Sequence, residues 1–176
     1  MNLVVMGPPG SGKSTQADLL AEELGVPHLQ TGDLFHYLSE EDSPMGRKIK
    51  KVMESGGLLD DRLALEAVEE HLKSKQYRKG IVLDGTPRSL WQAKHFKLEF
   101  GKVFYLDVSD EENIKRLVKR GRKDDRPEVV KKRLKIYHQE TEPMLDYYRR
   151  MGILKEVDGE RPIEVIYQDI MNRLEQ

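Results

Sequence analysis

The chain has 176 residues, 38% of them hydrophobic, which suits one domain with a sizeable core and argues against disorder. Thirty basic and 31 acidic residues leave a formal net charge of -1. The protein therefore has no large positive net charge that would attract nucleic acid or an anionic membrane. The lack of cysteine excludes a disulfide framework, a thiol nucleophile and a cysteine zinc site. No apolar run approaches about 18 residues and no signal peptide fits before Gly7, so we expect a cytoplasmic protein.

Short apolar runs separated by helix-patterned segments predict alternating strands and helices along the chain. The runs predicted as strands are 3–6, 26–29, 81–83, 103–108 and 153–157. This order predicts an α/β fold with a doubly wound, five-stranded parallel sheet, helices on both faces, and ligands outside the carboxyl ends of the strands. Between the second and third strands lies a longer helix-patterned segment that Ser43-Pro44 and Gly56-Gly57 interrupt. This segment predicts a subdomain within one domain spanning 1–176.

Helix start signals follow several of these strands. The predicted helices cover 15–24, 63–72, 111–119, 127–150 and a last segment opened by Pro162. Asp60 and Ser109 would cap the second and third of these helices, and Pro127 suits the first turn of the fourth.

The segment 7–14 reads Gly-Pro-Pro-Gly-Ser-Gly-Lys-Ser and matches the phosphate-binding loop pattern G-x-x-x-x-G-K-[ST]. It lies between a predicted strand and a predicted helix, which is the context that the motif requires. Glycines let backbone N–H groups converge on an anion, Lys13 would reach the β- and γ-phosphates, and Ser14 would offer its hydroxyl to Mg²⁺. The alternative is a plain turn before a helix. The strand, the lysine, the hydroxyl and the helix all occur at the positions that the motif requires, which argues against this alternative.

Further motifs continue this pattern along the chain. They are Thr31-Gly32-Asp33 after the second strand, Asp84-Gly85-Thr86-Pro87-Arg88 after the third, then Gln92-Ala93, Gly121-Arg122-Lys123-Asp124-Asp125 and Lys132-Arg133-Leu134. Together with the phosphate loop, they resemble the adenylate kinase family over nearly the whole chain. The resemblance implies a P-loop core with a helical AMP-binding arm near 30–59 and a minimal lid near 121–126. It also implies transfer of the γ-phosphate of ATP to AMP, giving two ADP.

The resemblance implies roles for individual residues. Those implied as catalytic are Lys13, Arg88, Arg120, Arg122 and Arg133. Those implied for ATP are Gly10, Ser11, Gly12, Lys13, Ser14, Thr15, Arg116, Arg120 and Arg161. Those implied for AMP are Thr31, His36, Gly57, Leu58, Leu59, Gly85, Thr86, Pro87, Arg88, Gln92, Arg122 and Arg133. Ser14, Asp84 and Asp33 would organise Mg²⁺ with ATP, partly through water, and no zinc is expected.

The chemistry of phosphate transfer explains why these side chains are needed. The acceptor phosphate is already an anion and needs no base, but two polyanions must be held in line while charge spreads over the transferring group. A lysine, Mg²⁺ and several arginines neutralise that charge. Gln92 offers an amide that can pair with the donor and acceptor edge of adenine.

Each assignment has a plainer alternative. An isolated arginine is more often a solvated helix charge, Asp84 could be a turn cap, and Gln92 could be a surface amide. The leucines at 58 and 59 could be ordinary core residues after a turn. Because these residues occur at the positions that the other motifs lead us to expect, we favour their assignment to the binding site over the plainer alternatives.

The sequence departs from the family pattern at four places, one of them Asp60, which replaces a proline or small residue. His36 stands where the family usually has an arginine, and a mostly neutral imidazole is a poorer phosphate ligand than a guanidinium. Thr86 replaces the usual phenylalanine. In the lid, only Gly121 separates Arg120 from Arg122, so either both arginines act from a nearly fixed hairpin or one has lost its role.

Other functions remain open at this point. A kinase of the same fold could prefer CMP, UMP or another monophosphate, and a nucleotide-sensing protein could keep the loop without turnover. Kinases of small hydroxyl compounds need a base and give no reason for Gln92. Acidic residues interrupt the basic stretch 115–135, which argues against nucleic acid. We expect a monomer that binds ATP, AMP and ADP, with no nucleic-acid or membrane partner.

Overall fold

The computed structural model describes residues 1–54, 59–121 and 125–175, without the side chains of Met53 and Glu54. Within these ranges, five strands form one sheet: β1 (Asn2–Met6), β2 (His28–Gln30), β3 (Ile81–Asp84), β4 (Lys102–Asp107) and β5 (Leu154–Asp158). All neighbouring strands pair in parallel, in the order β2-β3-β1-β4-β5. The predicted doubly wound α/β sheet is therefore confirmed, with small shifts at the strand ends.

Helices follow each strand. Those in the described ranges are α1 (Lys13–Leu24), α2 (Thr31–Glu40), α3 (Pro44–Glu54), α4 (Asp61–His71), α5 (Leu90–His95), α6 (Asp110–Arg120), α7 (Pro127–Ile136), α8 (Pro143–Arg150) and α9 (Ile163–Glu175), with a 3-10 turn at Lys75–Lys79. Two predicted caps are confirmed. The Asp60 carboxylate accepts from two backbone N–H groups of α4, and the Ser109 hydroxyl accepts from one in α6.

The prediction of one long helix over 127–150 is wrong. α7 ends at Ile136, the segment Tyr137–Thr141 is π-helical, and α8 begins at Pro143. Proline has no N–H to continue an α-helical ladder, and the Glu142 N–H donates instead to the Tyr137 carbonyl oxygen at 3.0 Å. This wider turn places Tyr137 and Thr141 beside the cavity described below.

The two faces of the sheet pack against different helices. On β1, Leu3 and Val5 face one cluster that contains side chains of α1 and α9. Val4 and Met6 face the other cluster, which contains side chains of α2 to α5 and of α8. Strands buried on both faces need continuous apolar runs, which is why the sequence shows runs instead of alternation. At the carboxyl edge of the sheet, the apolar run of β3 ends on the polar residue Asp84.

The regions predicted as arm and lid are partly described. α2 and α3 lie in the predicted arm and pack against each other, and Ile49 of α3 is fully buried. Residues 55–58 of that arm, and residues 122–124 of the predicted lid, lie outside the described residues. In the described parts of the chain, no helix has both the length and the apolar character to cross a membrane.

Candidate active site

The phosphate-binding loop connects β1 to α1, with Lys13 as the first residue of α1. Gly10 in this loop has φ +92, and a Cβ added there would lie 2.8 Å from the carbonyl oxygen of Asn113 on α6. Only glycine combines that backbone angle with so close an approach. The loop is thus held against α6, while the other residues predicted for ATP phosphates, 11–15, continue into α1.

Lys13 lies in a strongly positive environment. Burial, opposed by the carboxylate of Asp84, lowers the pKa of Lys13 to about 8. Three charges lower it further, those of Arg88, Arg133 and Arg120. The structure therefore brings together four of the side chains predicted as catalytic. Their surplus of positive charge suits a polyphosphate, whose negative charge would raise the pKa of Lys13 again.

Asp84 ends β3 and is 2% exposed. Burial would raise the pKa of this carboxyl, but the neighbouring His28, the charge of Lys13 and the Ser14 hydroxyl hold it below its usual value. Its Oδ2 atom is buried and has no hydrogen-bond partner among the described residues. A charged, unsatisfied oxygen beside Ser14 fits a hydrated Mg²⁺.

His28 is a residue of this site that sequence reasoning missed. Its Nδ1 lies 2.7 Å from the Asp18 carboxylate, and its Nε2 lies 3.6 Å from Oδ2 of Asp84. Burial opposes protonation, but the two carboxylates raise the pKa of His28 above its ordinary value. No local pattern could reveal this contact, because the three residues lie on α1, β2 and β3.

The third predicted metal residue, Asp33, is exposed in the first turn of α2. Among the described residues, no group of three or more histidines and carboxylates is arranged to hold a metal ion. Mg²⁺ in kinases usually keeps several waters and uses substrate phosphates, so it needs few protein ligands.

A cavity of about 470 Å³ opens beside the phosphate loop. The predicted site residues that line it are Lys13, His36, Leu59, Gly85, Thr86, Pro87, Arg88, Gln92 and Arg133. The predicted residues Gly57, Leu58 and Arg122 lie outside the described residues. Asp61, Ser89, Tyr137, Glu140 and Thr141 also line the cavity, and no motif identified them. The volume suits a small organic ligand.

The turn after β3 forms one wall of the cavity. Gly85 has φ +85, and a Cβ there would lie 2.7 Å from the Thr31 hydroxyl oxygen. That hydroxyl donates to the Asp84 carbonyl oxygen at 3.2 Å and accepts from the Thr86 hydroxyl at 3.1 Å. Thr31, predicted to contact AMP, is fully buried and lies behind this wall. Thr86 uses its hydroxyl in a contact that the usual phenylalanine could not make.

Arg88 is anchored at the same turn. Its Nε donates to the Gly85 carbonyl oxygen at 2.6 Å, and its own carbonyl oxygen accepts from the Thr141 hydroxyl at 2.8 Å. Burial lowers the pKa of Arg88, the carboxylate of Asp84 opposes this, and the charge of Arg133 adds to it. A guanidinium stays charged in proteins, so Arg88 presents a fixed cation to the cavity.

Two of the arginines predicted for ATP, Arg116 and Arg161, are not among the described residues that line the cavity. Arg116 donates to the carbonyl oxygens of Gly159 at 3.0 Å and Ser11 at 3.5 Å, so it joins the phosphate loop to the loop after β5. The structure does not bring Arg161 to the cavity. It lies between β5 and α9 and pairs with Asp158 and Asp169.

A family model described as adenylate kinase matches residues 5–153. The chain belongs to the adenylate kinase family. It is 41% identical over 182 residues to an adenylate kinase of Prochlorococcus marinus (strain MIT 9515), with 98% of each chain covered. It is 38% identical to adenylate kinase 1 of Nostoc sp., covering 96% of this chain and 95% of the relative. An adenylate kinase of Leptospira biflexa is 37% identical, again with 98% of each chain covered.

Membership of the adenylate kinase family confirms the resemblance drawn from the motifs, and the parallel sheet confirms the fold that it implied. The site roles carried over residue by residue, and the functional division into arm and lid, stay predictions.

Proposed function

We propose that this member of the adenylate kinase family transfers the γ-phosphate of ATP to AMP, giving two ADP, with ATP on the phosphate loop and AMP in the adjoining cavity. One observation carries the placement of AMP. The cavity has the cations Lys13, Arg88 and Arg133 on its lining together with the buried amide of Gln92. Cations suit the phosphates, and an amide suits the adenine edge.

The reaction needs charge and alignment more than proton transfer. The AMP phosphate is an anion, so it attacks without a base. Arg88, fixed by its bond to Gly85, would hold that phosphate in line with the γ-phosphate. Lys13 and Arg133 would neutralise the charge that spreads over the transferring group. Arg120, the last residue of α6, would add to this from the lid hinge, and Arg122 would add to it from the lid.

Mg²⁺ is expected to accompany ATP. Ser14 and Asp84 would hold it directly or through water, with Asp33 acting through water. The support is the unsatisfied Oδ2 atom of Asp84, whose pKa is held low. When bound, the ion would neutralise charge on the β- and γ-phosphates.

A coupled assay for ADP, with ATP and each of AMP, CMP, UMP and GMP, tests the acceptor. We expect AMP to give the highest kcat/KM. A higher kcat/KM with CMP or UMP would support the alternative kinase of the same fold, and no turnover with any acceptor would support a nucleotide sensor. The cytoplasmic location, the monomeric state and the lack of a nucleic-acid partner stay predictions.

The role of Gln92 has its own test. Gln92→Leu should raise the KM for AMP at least about tenfold while leaving the KM for ATP within about twofold, because the adenine edge loses the buried amide with which it would hydrogen-bond. Gln168→Leu, on the exposed face of α9, is the matched control and should change neither constant. An unchanged preference for AMP over CMP in Gln92→Leu would remove this residue from the base site.

A further inference from the structure

Asp61 sits at the start of α4 and contacts the residue assigned to the acceptor base. Its Oδ1 accepts from Nε2 of Gln92 at 2.9 Å, and its Oδ2 accepts from the Ser89 hydroxyl at 2.6 Å. The same Ser89 oxygen caps α5 by accepting from the Gln92 backbone N–H at 3.1 Å. The carboxylate therefore connects α4 to the first turn of α5, next to the cavity that Asp61 also lines.

The other end of the Gln92 amide is held as well. Its Oε1 accepts from the backbone N–H of Arg88 at 2.8 Å. An ionised carboxylate can only accept and a backbone N–H can only donate, so these two partners define which end of the amide is oxygen. Turning the amide over would place oxygen against carboxylate and N–H against N–H. Gln92 is 3% exposed, so water cannot readily compensate for the lost bonds.

The locked amide still has capacity for a ligand. A glutamine amide has two hydrogens and two acceptor positions, and its contacts with Asp61 and Arg88 use one of each. In this orientation, the remaining acceptor position of Oε1 can bind the amino group of a base, and the remaining hydrogen on Nε2 can be donated to a ring nitrogen. The edge of adenine presents that combination, with a donor at N6 and an acceptor at N1. The edge of a 6-oxopurine presents the reverse, which only the turned amide would match.

We propose that Asp61 is a positioning residue that locks the amide of Gln92 and thereby makes the site select a 6-aminopurine monophosphate over a 6-oxopurine monophosphate. The proposal rests on the assignment of Gln92 to the acceptor base. Asp61 itself acts through Gln92.

Steady-state kinetics with AMP and with IMP, at saturating ATP, test the proposal. Asp61→Ala should raise the KM for AMP about tenfold and change the KM for IMP by less than about twofold, so the preference for AMP falls about tenfold. The kcat at saturating AMP should change less than KM. Asp61→Asn should rescue most of the preference, because its carbonyl oxygen can still accept from Gln92.

Asp60→Asn is the matched control. It removes a neighbouring charge at the start of the same helix, and its side chain caps α4 without contacting Gln92. Asparagine is also a good cap, so both the melting temperature and the preference for AMP should stay at the wild-type values.

The outcomes separate this proposal from the proposed function. Loss of the preference in Gln92→Leu but not in Asp61→Ala overturns the role of Asp61 and leaves the base site intact. Retention of the preference in Gln92→Leu overturns the base assignment itself. Equal losses for AMP and IMP in Asp61→Ala show a merely structural role and also overturn the proposal. If thermal melting shows Asp61→Ala to be unfolded, Asp61→Ser is judged by the same ratio, since serine suits a helix start.

Discussion

Arg120 and Asp125 form a double hydrogen bond across the short connection between α6 and α7. Nε of Arg120 lies 2.8 Å from Oδ2, and its Nη2 lies 2.6 Å from Oδ1. The Asp125 side chain is 1% exposed, and Nη1 of Arg133 lies 3.8 Å from its Oδ1. One buried carboxylate thus contacts two arginines that are predicted to stabilise the transferring phosphoryl group.

We expect Asp125→Ala to lower kcat at least about tenfold, because both arginines lose a buried carboxylate that helps to orient them. Losing a buried acceptor of charged hydrogen bonds should also cost about 1 to 3 kcal/mol of stability, and the partial exposure of both arginines favours the lower end. Kinetics and urea unfolding measure the two effects. Asp146→Ala, which breaks an exposed pair with Arg149, is the control and should leave kcat unchanged. A kcat within about twofold of wild type in Asp125→Ala would falsify the orienting role.

Gly10→Ala should weaken ATP binding at least about tenfold, because the added methyl group collides with α6 and distorts the phosphate loop. The left-handed backbone angle by itself costs roughly 1–2 kcal/mol for a residue with a side chain. Gly152→Ala isolates that cost, since Gly152 has φ +74 and no atoms within 4 Å of an added Cβ. Calorimetric titration with ATP compares the two variants. Equal ATP affinities in both would show that the contact with α6 does not shape the loop.

ATP binding should take up protons at alkaline pH. Lys13 has a pKa of about 8 in the free protein, and bound phosphates would raise this pKa because they favour the charged lysine. Below about pH 7 the lysine is charged in both states, so affinity is independent of this group; above about pH 8 binding recruits a proton and affinity falls as pH rises.

Titration calorimetry in two buffers of different ionisation enthalpy, at about pH 7 and about pH 8.5, measures this uptake. The buffer dependence should appear only at the higher pH. Lys13→Arg keeps a permanent charge and should abolish it. If the enthalpy of ATP binding to the wild-type protein is the same in both buffers at the higher pH, ATP binding is not linked to proton uptake and the prediction is contradicted.

His36→Arg should tighten AMP binding, because His36 lies on α2 and lines the cavity where a permanent charge could reach the phosphate. A charge-assisted bond contributes about 1.5–3 kcal/mol before entropy and desolvation are subtracted, so we expect a gain of about tenfold. Tyr37→Arg adds the same charge at the neighbouring exposed position and should have little effect. If His36→Arg binds AMP no better than wild type, another cation already fills that role.

Much of this protein was predictable from local patterns. The central strands β1, β3 and β4 were visible because each is a contiguous apolar run buried on both faces, and the phosphate loop because its glycines, lysine and hydroxyl are neighbours in the chain. One prediction from local patterns, the single helix over 127–150, is wrong. Pro127 and Pro143 both suit a first helical turn, and the pattern alone did not show that α7 ends and a π-helical segment intervenes.

The partners of the polar side chains were decided by the tertiary structure. The sequence contains 31 acidic residues with little to distinguish them. Asp84 and Asp125 differ from most of these residues because packing buries them beside cations. Asp61 differs because it lies where α4 contacts α5 and bonds to Gln92. Each of these carboxylates binds a residue on a different element or across a loop. Hydrophobic periodicity records which face of an element is buried, but a hydrogen bond depends on the distance between two elements, and that distance exists only in the folded chain.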